Sequence, residues 1–445
     1  MADKPNVITA EAHLNEPDPD SYAQFQREIY GKFSKPKYST KPAAWEAAAR
    51  ENVPSPNFFY VRGAASSEST YAANLSAFEH YRLRPTMLAN VTRRDTSVEI
   101  FGKKYASPLL VAPIGVQEIM HPEGEEATAR ACAAVKVPMI LSTAATRSIE
   151  QVAKANGDGD RWYQLYWPKP QAEEFTASLL ARAKANGFTT LVVTLDTFIM
   201  GWRPNDLDES YLPFLFGQGC QIGFSDPVFQ QLYEKMKADD TRSASEKLSE
   251  LWQLLKRPGS IGGAAKVLAN ASTIQKSLLF TSLWAAGNYR DWNDIQTLRK
   301  YWDGPIVLKG IQTVEDARKA IDHGVDGIVV SNHGGRQLDG AIGSLDALAE
   351  IGADDIVKSS GLTILFDSGI RTGSDVLKAI ALGAKAVLLG RPYIYGLAMG
   401  GQEGVEHVLK CVLCDIDNSL ANMGKKSIAE ISRDDLRVIQ QLAKL

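Results

Sequence analysis

Cysteine is scarce in this chain, with four residues in 445. So few cysteines cannot build the disulfide framework of a small secreted domain. Cys411 and Cys414 have the spacing of some metal sites, but no second cysteine or histidine pair lies near them. Residues 407–414 instead have the pattern of an amphipathic helix. We therefore expect these two cysteines to pack as buried helix residues, and we expect no metal site.

Long apolar runs and an excess of positive charge are also missing. No apolar run is long enough to span a membrane, and residues 1–20 are too polar for a secretory signal. The net charge of -3 argues against a nucleic-acid partner. These absences predict a cytoplasmic protein. The last three residues, Ala443-Lys444-Leu445, resemble a Ser-Lys-Leu peroxisomal address, so a peroxisomal location is the alternative.

What the chain does contain, from about Pro108 onward, is an alternation of short apolar runs with helical segments. The helical segments begin with acidic residues and continue with basic ones, which suits the helix dipole. The eight runs are 109–113, 139–142, 162–166, 191–196, 306–309, 327–331, 364–367 and 386–390. This pattern predicts a closed (β/α)8 TIM barrel of the α/β class, with an open doubly wound sheet as the alternative.

Two segments depart from this spacing. Residues 1–50 have little apolar periodicity and are interpreted as an N-terminal arm on the barrel domain, 51–445. Roughly ninety residues separate the fourth run from a helix near Trp292. Because so long a loop in a compact domain is usually functional or mobile, the insertion at about 197–290 is interpreted as a lid over the barrel mouth.

A histidine and an arginine three residues apart follow the sixth run. His333 and Arg336 lie on the glycine-bounded loop 331–340. Histidine can accept a proton near neutral pH, and the arginine side chain matches a carboxylate. Taken alone, the loop could be a polar turn. Polar residues also follow the other runs, however, and a barrel gathers such residues at one end, which favours an active site for a small organic acid.

Lys309 and Asp196 end two other runs. A lysine at the end of a buried strand needs an anionic partner, which a cofactor ring that gains negative charge or an aspartate such as Asp367 could supply. Asp196 is assigned to His333, because its carboxylate would stabilise the imidazolium that forms when the histidine takes a proton.

Further candidates concern anions. Arg203, at the start of the insertion, could hold one carboxylate together with Arg336. Tyr60 and Tyr166 could add hydroxyl donors, although their spacing fits aromatic packing equally well. Glycine-flanked arginines follow the seventh and eighth runs, where barrels often bind phosphate. These residues are Gly369, Arg371, Gly390 and Arg391.

The loop around His333 also resembles a known family. Residues 331–339 resemble the most characteristic motif of the FMN-dependent 2-hydroxy acid oxidases and dehydrogenases, and the similarity extends from about Tyr60 to the C-terminal helices. Within the family, residues 201–207 and 225–230 are most similar to lactate 2-monooxygenase. Supporting segments are 112–115, 121–124, 164–166, 194–197, 308–310, 366–371 and 390–392.

The resemblance implies FMN as cofactor and a role for each candidate. His333 would remove the substrate proton, with Asp196 supporting it and Lys309 beside the flavin ring. The substrate would be held by Tyr60, Tyr166, Arg203 and Arg336, with Ala144 beside it. Implied flavin contacts are Ala112, Pro113, Ile114, Gly115, Ser142, Gln164, Thr194, Lys309, Ser331, Asp367, Gly369, Arg371, Gly390 and Arg391.

Two positions depart from the pattern of the family. Ala144 stands where glycolate oxidases tend to have tryptophan and lactate monooxygenase-like chains a larger aliphatic residue, which predicts a roomier pocket. Gly115 stands where many oxidases have alanine, near the part of the flavin that oxygen must reach.

The family resemblance implies oxidation of an L-2-hydroxy acid, lactate or a somewhat larger analogue. The expected acceptor is O2, with oxidative decarboxylation of the lactate 2-monooxygenase type. A simple oxidase releasing 2-keto acid and H2O2 is one alternative, and a dehydrogenase using a quinone or protein acceptor is another. A phosphate-binding barrel without catalysis is the non-enzyme alternative. The family also implies a homo-oligomer of four or more subunits.

Overall fold

The structure, a computed structural model, describes residues 18, 21–197, 199–243, 245–246, 249, 252–253, 261–285, 287 and 290–439. Most of the first twenty residues, part of the insertion and the C-terminal Ala443-Lys444-Leu445 lie outside this set. The peroxisomal prediction therefore concerns residues outside those described.

The described strands fall into a barrel and two small two-stranded sheets. In chain order they are β1 Tyr81–Leu83, β2 Val98–Ile100, β3 Lys103–Tyr105, β4 Leu109–Val111, β5 Met139–Ser142, β6 Arg161–Tyr166, β7 Leu191–Thr194, β8 Ile306–Ile311, β9 Gly327–Val330, β10 Thr363–Phe366, β11 Ala386–Leu389 and β12 Leu436–Val438.

Helices precede, connect and follow these strands. In chain order the described α-helices are α1 Gln24–Gly31, α2 Pro42–Asn52, α3 Ser55–Arg62, α4 Ser69–Ser76, α5 Gly124–Val135, α6 Ile149–Asn156, α7 Glu173–Ala185, α8 Pro204–Asp208, α9 Gln221–Phe224, α10 Pro227–Ala238, α11 Ile261–Ala269, α12 Ala271–Ser282, α13 Ile295–Leu298, α14 Val314–Asp322, α15 Ser344–Ile351, α16 Asp355–Ser359, α17 Gly373–Ala381 and α18 Arg391–Asn422.

The strands β4 to β11 form a closed barrel in sequential order, in which neighbouring strands are parallel. Every residue of β5, β7, β9 and β11 is buried, because these strands face side chains inside the barrel and helices outside it. The predicted TIM barrel is confirmed, and the alternative of an open sheet is wrong. Each predicted run matches one of these strands to within two residues at either end.

The long connection between β7 and β8 contains helices α8 to α13. Asp226 anchors it to the barrel wall. This buried carboxylate accepts from the backbone amides of Val228 and Phe229, at 2.9 and 3.1 Å, and thereby caps α10. It also pairs with Arg182 of α7 at 3.0 Å. The residues of the connection after 243 are only partly described.

The described part of the N-terminal segment packs on the long helix α18 of the same chain. Trp45 and Ala49 of α2 are almost fully buried there. Asp417 of α18 accepts from the backbone amide of Ala23 at 2.9 Å and forms an ion pair with Arg94. The arm is therefore anchored by a buried carboxylate as well as by apolar contact.

Helix α18 also contains the two cysteines at 411 and 414. Cys414 is buried, whereas Cys411 is only partly buried, so the prediction of a helix is confirmed and that of full burial is wrong for Cys411. In the described part of the chain, no group of three or more histidine, cysteine or acidic side chains is arranged to hold a metal ion. None of the described helices has the length and apolar character that crossing a membrane requires.

Candidate active site

The C-terminal ends of the barrel strands surround a cavity with about 1170 Å³ of empty space, part of it open to solvent. Strand ends, the start of the insertion and helix α3 all contribute to its lining. Most of the residues that we predicted from sequence line it. They are Tyr60, Ala112, Pro113, Ile114, Gly115, Ala144, Tyr166, Arg203, Lys309, His333, Arg336, Asp367, Gly369, Arg371, Gly390 and Arg391.

The other predicted residues lie directly behind this lining. Ser142 donates to Gln164 at 3.0 Å, and Gln164 donates to Thr194 at 2.9 Å, so one buried polar row joins the ends of β5, β6 and β7. Ser331 accepts from the Lys309 side chain at 2.9 Å and from the backbone amide of residue 333 at 3.1 Å. These residues fix the strand ends that carry the lining.

His333 and Asp196 form the central pair. The Nδ1 atom of His333 lies 2.7 Å from Oδ1 of Asp196, and Thr197 donates to the same carboxylate oxygen at 3.1 Å. His333 has a φ of 58°, a left-handed conformation that non-glycine residues adopt rarely. Gly334 follows with a φ of 67°. The chain thus turns sharply after β9 and directs the imidazole ring at the cavity.

The protonation states of this pair suit a base. Burial lowers the pKa of His333, and the nearby carboxylate of Asp196 offsets this only in part. Burial alone would raise the pKa of Asp196, but its interactions with His333 and Lys309 outweigh that effect and lower the pKa to about 2. At neutral pH the carboxylate is therefore ionised and the imidazole is neutral. Because the ionised carboxylate accepts the Nδ1 proton, Nε2 retains its lone pair.

Lys309 has its anionic partners within the protein. Its Nζ lies 3.3 Å from Oδ2 of Asp367 and 3.9 Å from Oδ2 of Asp196. Burial lowers the pKa of Lys309, but the two carboxylates outweigh it and hold the pKa above its usual value. Of the two partners considered from sequence, a cofactor and an aspartate, the aspartate is present. The ammonium group still lines the cavity and can serve a bound anion as well.

Arg203 and Arg336 lie close together. Nε of Arg203 donates to the backbone carbonyl of Arg336 at 3.1 Å, and Nη2 donates to Gln337 at 2.7 Å. Arg336 donates to the carbonyl of Gly63 at 2.8 Å. Burial, together with the charge of Arg203, lowers the pKa of Arg336 to about 9. Among the described residues, Asp206 lies 4.0 Å from Nη1 of Arg203 and no carboxylate forms an ion pair with Arg336, so the two arginines keep a net positive charge that favours an incoming anion.

Arg391 and Arg371 form a second cationic region where α18 begins. Arg391 donates to three backbone carbonyls, those of Val61, Gly63 and Gly334, at 2.9–3.0 Å. Burial lowers the pKa of Arg391, as does the positive charge of Arg371. A Cβ atom on Gly390 would meet nothing closer than 3.9 Å, so this backbone faces open space in the cavity. A helix N-terminus beside two arginines without carboxylate partners in the described residues fits a phosphate group.

Tyr60 and Tyr166 both pack against other aromatic rings. Tyr166 stacks on Trp284 with ring centroids 4.6 Å apart, and Tyr60 meets Tyr211 edge to face at 6.1 Å. Burial raises the pKa of Tyr166 to about 12 and also raises the pKa of Tyr60. Both phenols are therefore protonated at neutral pH and can donate. The packing and donor roles considered from sequence are compatible with each other.

Gly115 and Ala144 touch across the cavity wall. A Cβ atom on Gly115 would lie 2.5 Å from the carbonyl oxygen of Ala144 and 2.7 Å from its Cβ. The neighbouring Val116 donates its backbone amide to the same carbonyl at 2.9 Å, with a φ of 57°. Glycine is required at 115 because the backbone hydrogen bond brings the two segments this close.

Several lining residues were not predicted from sequence. Two are aromatic side chains of the insertion, Phe214 and Trp284. The apolar cluster 212–216 within a largely charged insertion is a signal that could have identified the first of them. The remaining unpredicted residues are Val61, Val116, Thr197, Met200, Ala285, Gly334, Ser368, Ile370 and Leu388.

Comparisons with known proteins agree with this arrangement. The family described as FMN-dependent dehydrogenase matches residues 49–438. The FMN-dependent alpha-hydroxy acid dehydrogenase qulF of Penicillium citrinum is 44% identical over 431 residues, which cover 95% of this chain and 97% of the relative. An L-lactate oxidase of Lysinibacillus sphaericus is 40% identical, covering 86% of this chain and 89% of its own. A mandelate oxidase structure with benzoyl-formic acid has a TM-score of 0.71 at 33% identity, with 90% and 98% coverage.

Proposed function

The chain belongs to the FMN-dependent dehydrogenase family, and from that premise we propose that it oxidises a small L-2-hydroxy acid to the 2-keto acid and passes the electrons to O2. FMN dependence and the oxidation of 2-hydroxy acids follow from the family and its relatives. The observation that carries the proposal is the 2.7 Å contact between His333 and an ionised Asp196 at the wall of a cationic cavity.

The residues present fit FMN. Arg371, Arg391 and the start of α18 would hold its phosphate, and Lys309 would lie near the isoalloxazine ring. When bound, FMN supplies a two-electron acceptor next to the substrate. The segment Ala112 to Val116, which lines the cavity, would provide further contacts to the ring.

Residues of the chain itself would bind the substrate and accept its proton. Arg203 and Arg336 would bind the substrate carboxylate, and the tyrosine hydroxyls would orient the 2-hydroxyl group. Nε2 of neutral His333 would accept a proton from the substrate, and Asp196 would then stabilise the imidazolium. A positioned general base contributes on the order of a hundredfold to ten-thousandfold in rate.

The fate of the product is the finer part of the proposal. Transfer of two electrons and two protons to O2 yields H2O2 beside the 2-keto acid. Phe214 and Trp284 of the insertion line the same cavity, which favours retention of both products. H2O2 can then cleave the keto acid to CO2, water and an acid shortened by one carbon, as in lactate 2-monooxygenase. The cytoplasmic location and the oligomer of four or more subunits remain predictions from sequence.

Anaerobic reduction of the bound flavin tests the central proposal. We expect L-2-hydroxy acids, but not their D-enantiomers, to bleach the flavin absorption of the purified holoenzyme. His333→Ala should slow this reduction by at least a hundredfold. His323→Ala, a change at the C-terminus of α14 and outside the cavity lining, is the matched control. Equal rates for His333→Ala and the control would refute the assignment of the base.

Product analysis under oxygen tests the finer proposal. With labelled acid, the monooxygenase reaction gives stoichiometric CO2 and little free H2O2. Stoichiometric H2O2 and keto acid without CO2 would instead identify a simple oxidase. Rapid reduction by substrate with very slow reoxidation in air would identify a dehydrogenase that uses another acceptor.

A further inference from the structure

One wall of the cavity is continuous and apolar. Its lining residues include Val116, Ala144, Tyr166, Phe214 and Trp284. Trp284 meets Phe214 edge to face at 5.9 Å and stacks on Tyr166 at 4.6 Å. The three aromatic rings therefore form one surface, contributed by the end of β6 and by two parts of the insertion.

The surroundings of Gly219 show that this surface continues to Val116 and Ala144. A Cβ atom on Gly219 would lie 2.7 Å from Phe214, 2.8 Å from the side chain of Val116 and 2.9 Å from the carbonyl of Ala144. These three residues therefore meet around one glycine. Together with Trp284 they are called the apolar wall below. Ala144 lines the cavity and its side chain ends at Cβ, so a larger side chain at this position would occupy cavity space.

Specific contacts fix the insertion against the barrel. The backbone amide of Lys169, in the loop after β6, donates to the carbonyl of Leu283 at 2.8 Å and so sets the place of the adjoining Trp284. Helix α12 packs on the short helix that contains Phe214, and Cys220 lies between them, 3.8 Å from the carbonyl of Phe214 and 3.9 Å from Ser277. The two aromatic side chains are therefore part of the packed structure and form a preformed wall.

The charged residues of the lining come from other segments. They lie at the beginning of the insertion, in β8 and after β9 to β11, and no ionisable acid or base belongs to the apolar wall. They are Arg203, Lys309, His333, Arg336, Asp367, Arg371 and Arg391. A substrate whose carboxylate is held by arginines can therefore place an uncharged side chain against the apolar wall without burying an unpaired charge.

We propose that the apolar wall is a side-chain pocket that selects 2-hydroxy acids whose apolar side chain is larger than methyl, branched aliphatic or aryl. This inference rests on the proposed function and specifies its substrate class. Each additional methylene group buried in such a pocket is worth about 0.8 kcal/mol, which corresponds to a roughly fourfold gain in kcat/KM.

The test measures kcat/KM as the second-order rate constant of anaerobic flavin reduction at low substrate concentration. The substrates are glycolate, L-lactate, L-2-hydroxybutanoate, L-2-hydroxy-4-methylpentanoate and L-mandelate. We expect the values to rise along the aliphatic series by roughly fourfold per buried methylene, and mandelate to exceed lactate by at least tenfold.

Two substitutions assign the preference to the apolar wall. Ala144→Leu fills the pocket and should reduce kcat/KM for mandelate at least tenfold more than for lactate. Phe214→Ala removes wall surface and should lower kcat/KM for mandelate and L-2-hydroxy-4-methylpentanoate more than for glycolate. Phe224→Ala is the matched control, because Phe224 stacks on Phe229 and does not line the cavity.

The possible failures are separable. If glycolate or lactate is the preferred acid of the wild type, or if Ala144→Leu lowers all acids equally, the side-chain pocket is refuted while the proposed function stands. If no 2-hydroxy acid reduces the flavin of the holoenzyme, the proposed function fails and this inference fails with it.

Discussion

His333 is a neutral base next to an ionised carboxylate, and this difference in charge allows the histidine to accept a proton and the carboxylate to stabilise the resulting imidazolium. Burial lowers the pKa of the imidazole, whereas the pKa of Asp196 is held at about 2. Both residue types and their positions after strands were visible in the sequence, which is why the pair could be predicted. The partner of Lys309 could not be decided, because nothing in one sequence tells whether a buried lysine pairs with an aspartate or with a ligand.

Asp196→Asn should lower the rate and move the pH profile. In the wild type, the rate of flavin reduction should rise with pH through a pKa below about 6.5 and then level off, because only neutral His333 accepts a proton. Removing the carboxylate charge lowers the histidine pKa further, so the acidic limb moves to lower pH. The plateau should fall by about tenfold to a hundredfold, because a charge-assisted hydrogen bond is worth roughly 1.5–3 kcal/mol.

Stopped-flow reduction between pH 5 and 9 measures both changes. The rescue variant Asp196→Glu should recover part of the plateau, since it retains the charge. A limb that moves to higher pH in Asp196→Asn would contradict the assignment of that limb to His333.

At the scale of elements, the strands were predictable and the insertion was not. Each barrel strand is buried on both faces and is therefore a short, mostly apolar run that can be recognised in the sequence. The insertion has no such repeat. Its helices are placed by contacts between residues far apart in sequence, such as the ion pair of Asp226 with Arg182 at 3.0 Å. Hence the cavity contacts of Phe214 and Trp284 were missed.

Gly219→Ala tests whether the contacts around Gly219 hold the insertion against the barrel. The glycine has a φ of 81°, and an added Cβ would lie within 3.0 Å of the apolar wall. We expect a loss of stability of about 2–5 kcal/mol, the sum of the costs of a left-handed conformation and of overpacking. The KM for substrate should also rise, because the insertion must move away from the barrel.

Gly324→Ala is the control for this substitution. Gly324 has a φ of 66° with no atom within 4 Å of an added Cβ, so it isolates the conformational cost of about 1–2 kcal/mol. Thermal unfolding of the two holoenzymes and their KM values make the comparison. Equal melting temperatures and equal KM values would show that the contact around Gly219 does not hold the insertion.

Over the whole molecule, one end of the barrel collects positive charge that the described part of the chain does not neutralise. Arg336, Arg371 and Arg391 line one cavity, and none has a carboxylate within salt-bridge distance among the described residues. The sequence placed these arginines at strand ends and so predicted the cationic end of the barrel. It could not predict that Arg391 is held by three backbone carbonyls, because those belong to the distant segments around residues 61–63 and 334.

This concentration of charge predicts that the phosphate group of FMN stabilises the folded chain. The apoprotein should melt at a lower temperature than the holoenzyme, and inorganic phosphate should raise the melting temperature of the apoprotein but not that of the holoenzyme. A ligand at a hundred times its Kd adds about 2.7 kcal/mol to the free energy of unfolding.

Arg371→Gln assigns the effect to one side chain. Among the described residues, the side chain of Arg371 donates a hydrogen bond only to the carbonyl of its neighbour Ile370, at 2.9 Å, so its replacement disturbs the described structure little. We expect the Kd for FMN to rise by about tenfold to a hundredfold, because a hydrogen bond to a charged group is worth roughly 1.5–3 kcal/mol. Riboflavin has the same ring without the phosphate, and its Kd should be equal for wild type and variant. Equilibrium titration of the flavin fluorescence measures all four constants, and a parallel loss of riboflavin affinity would show that Arg371 acts on the fold of the site and not on the phosphate.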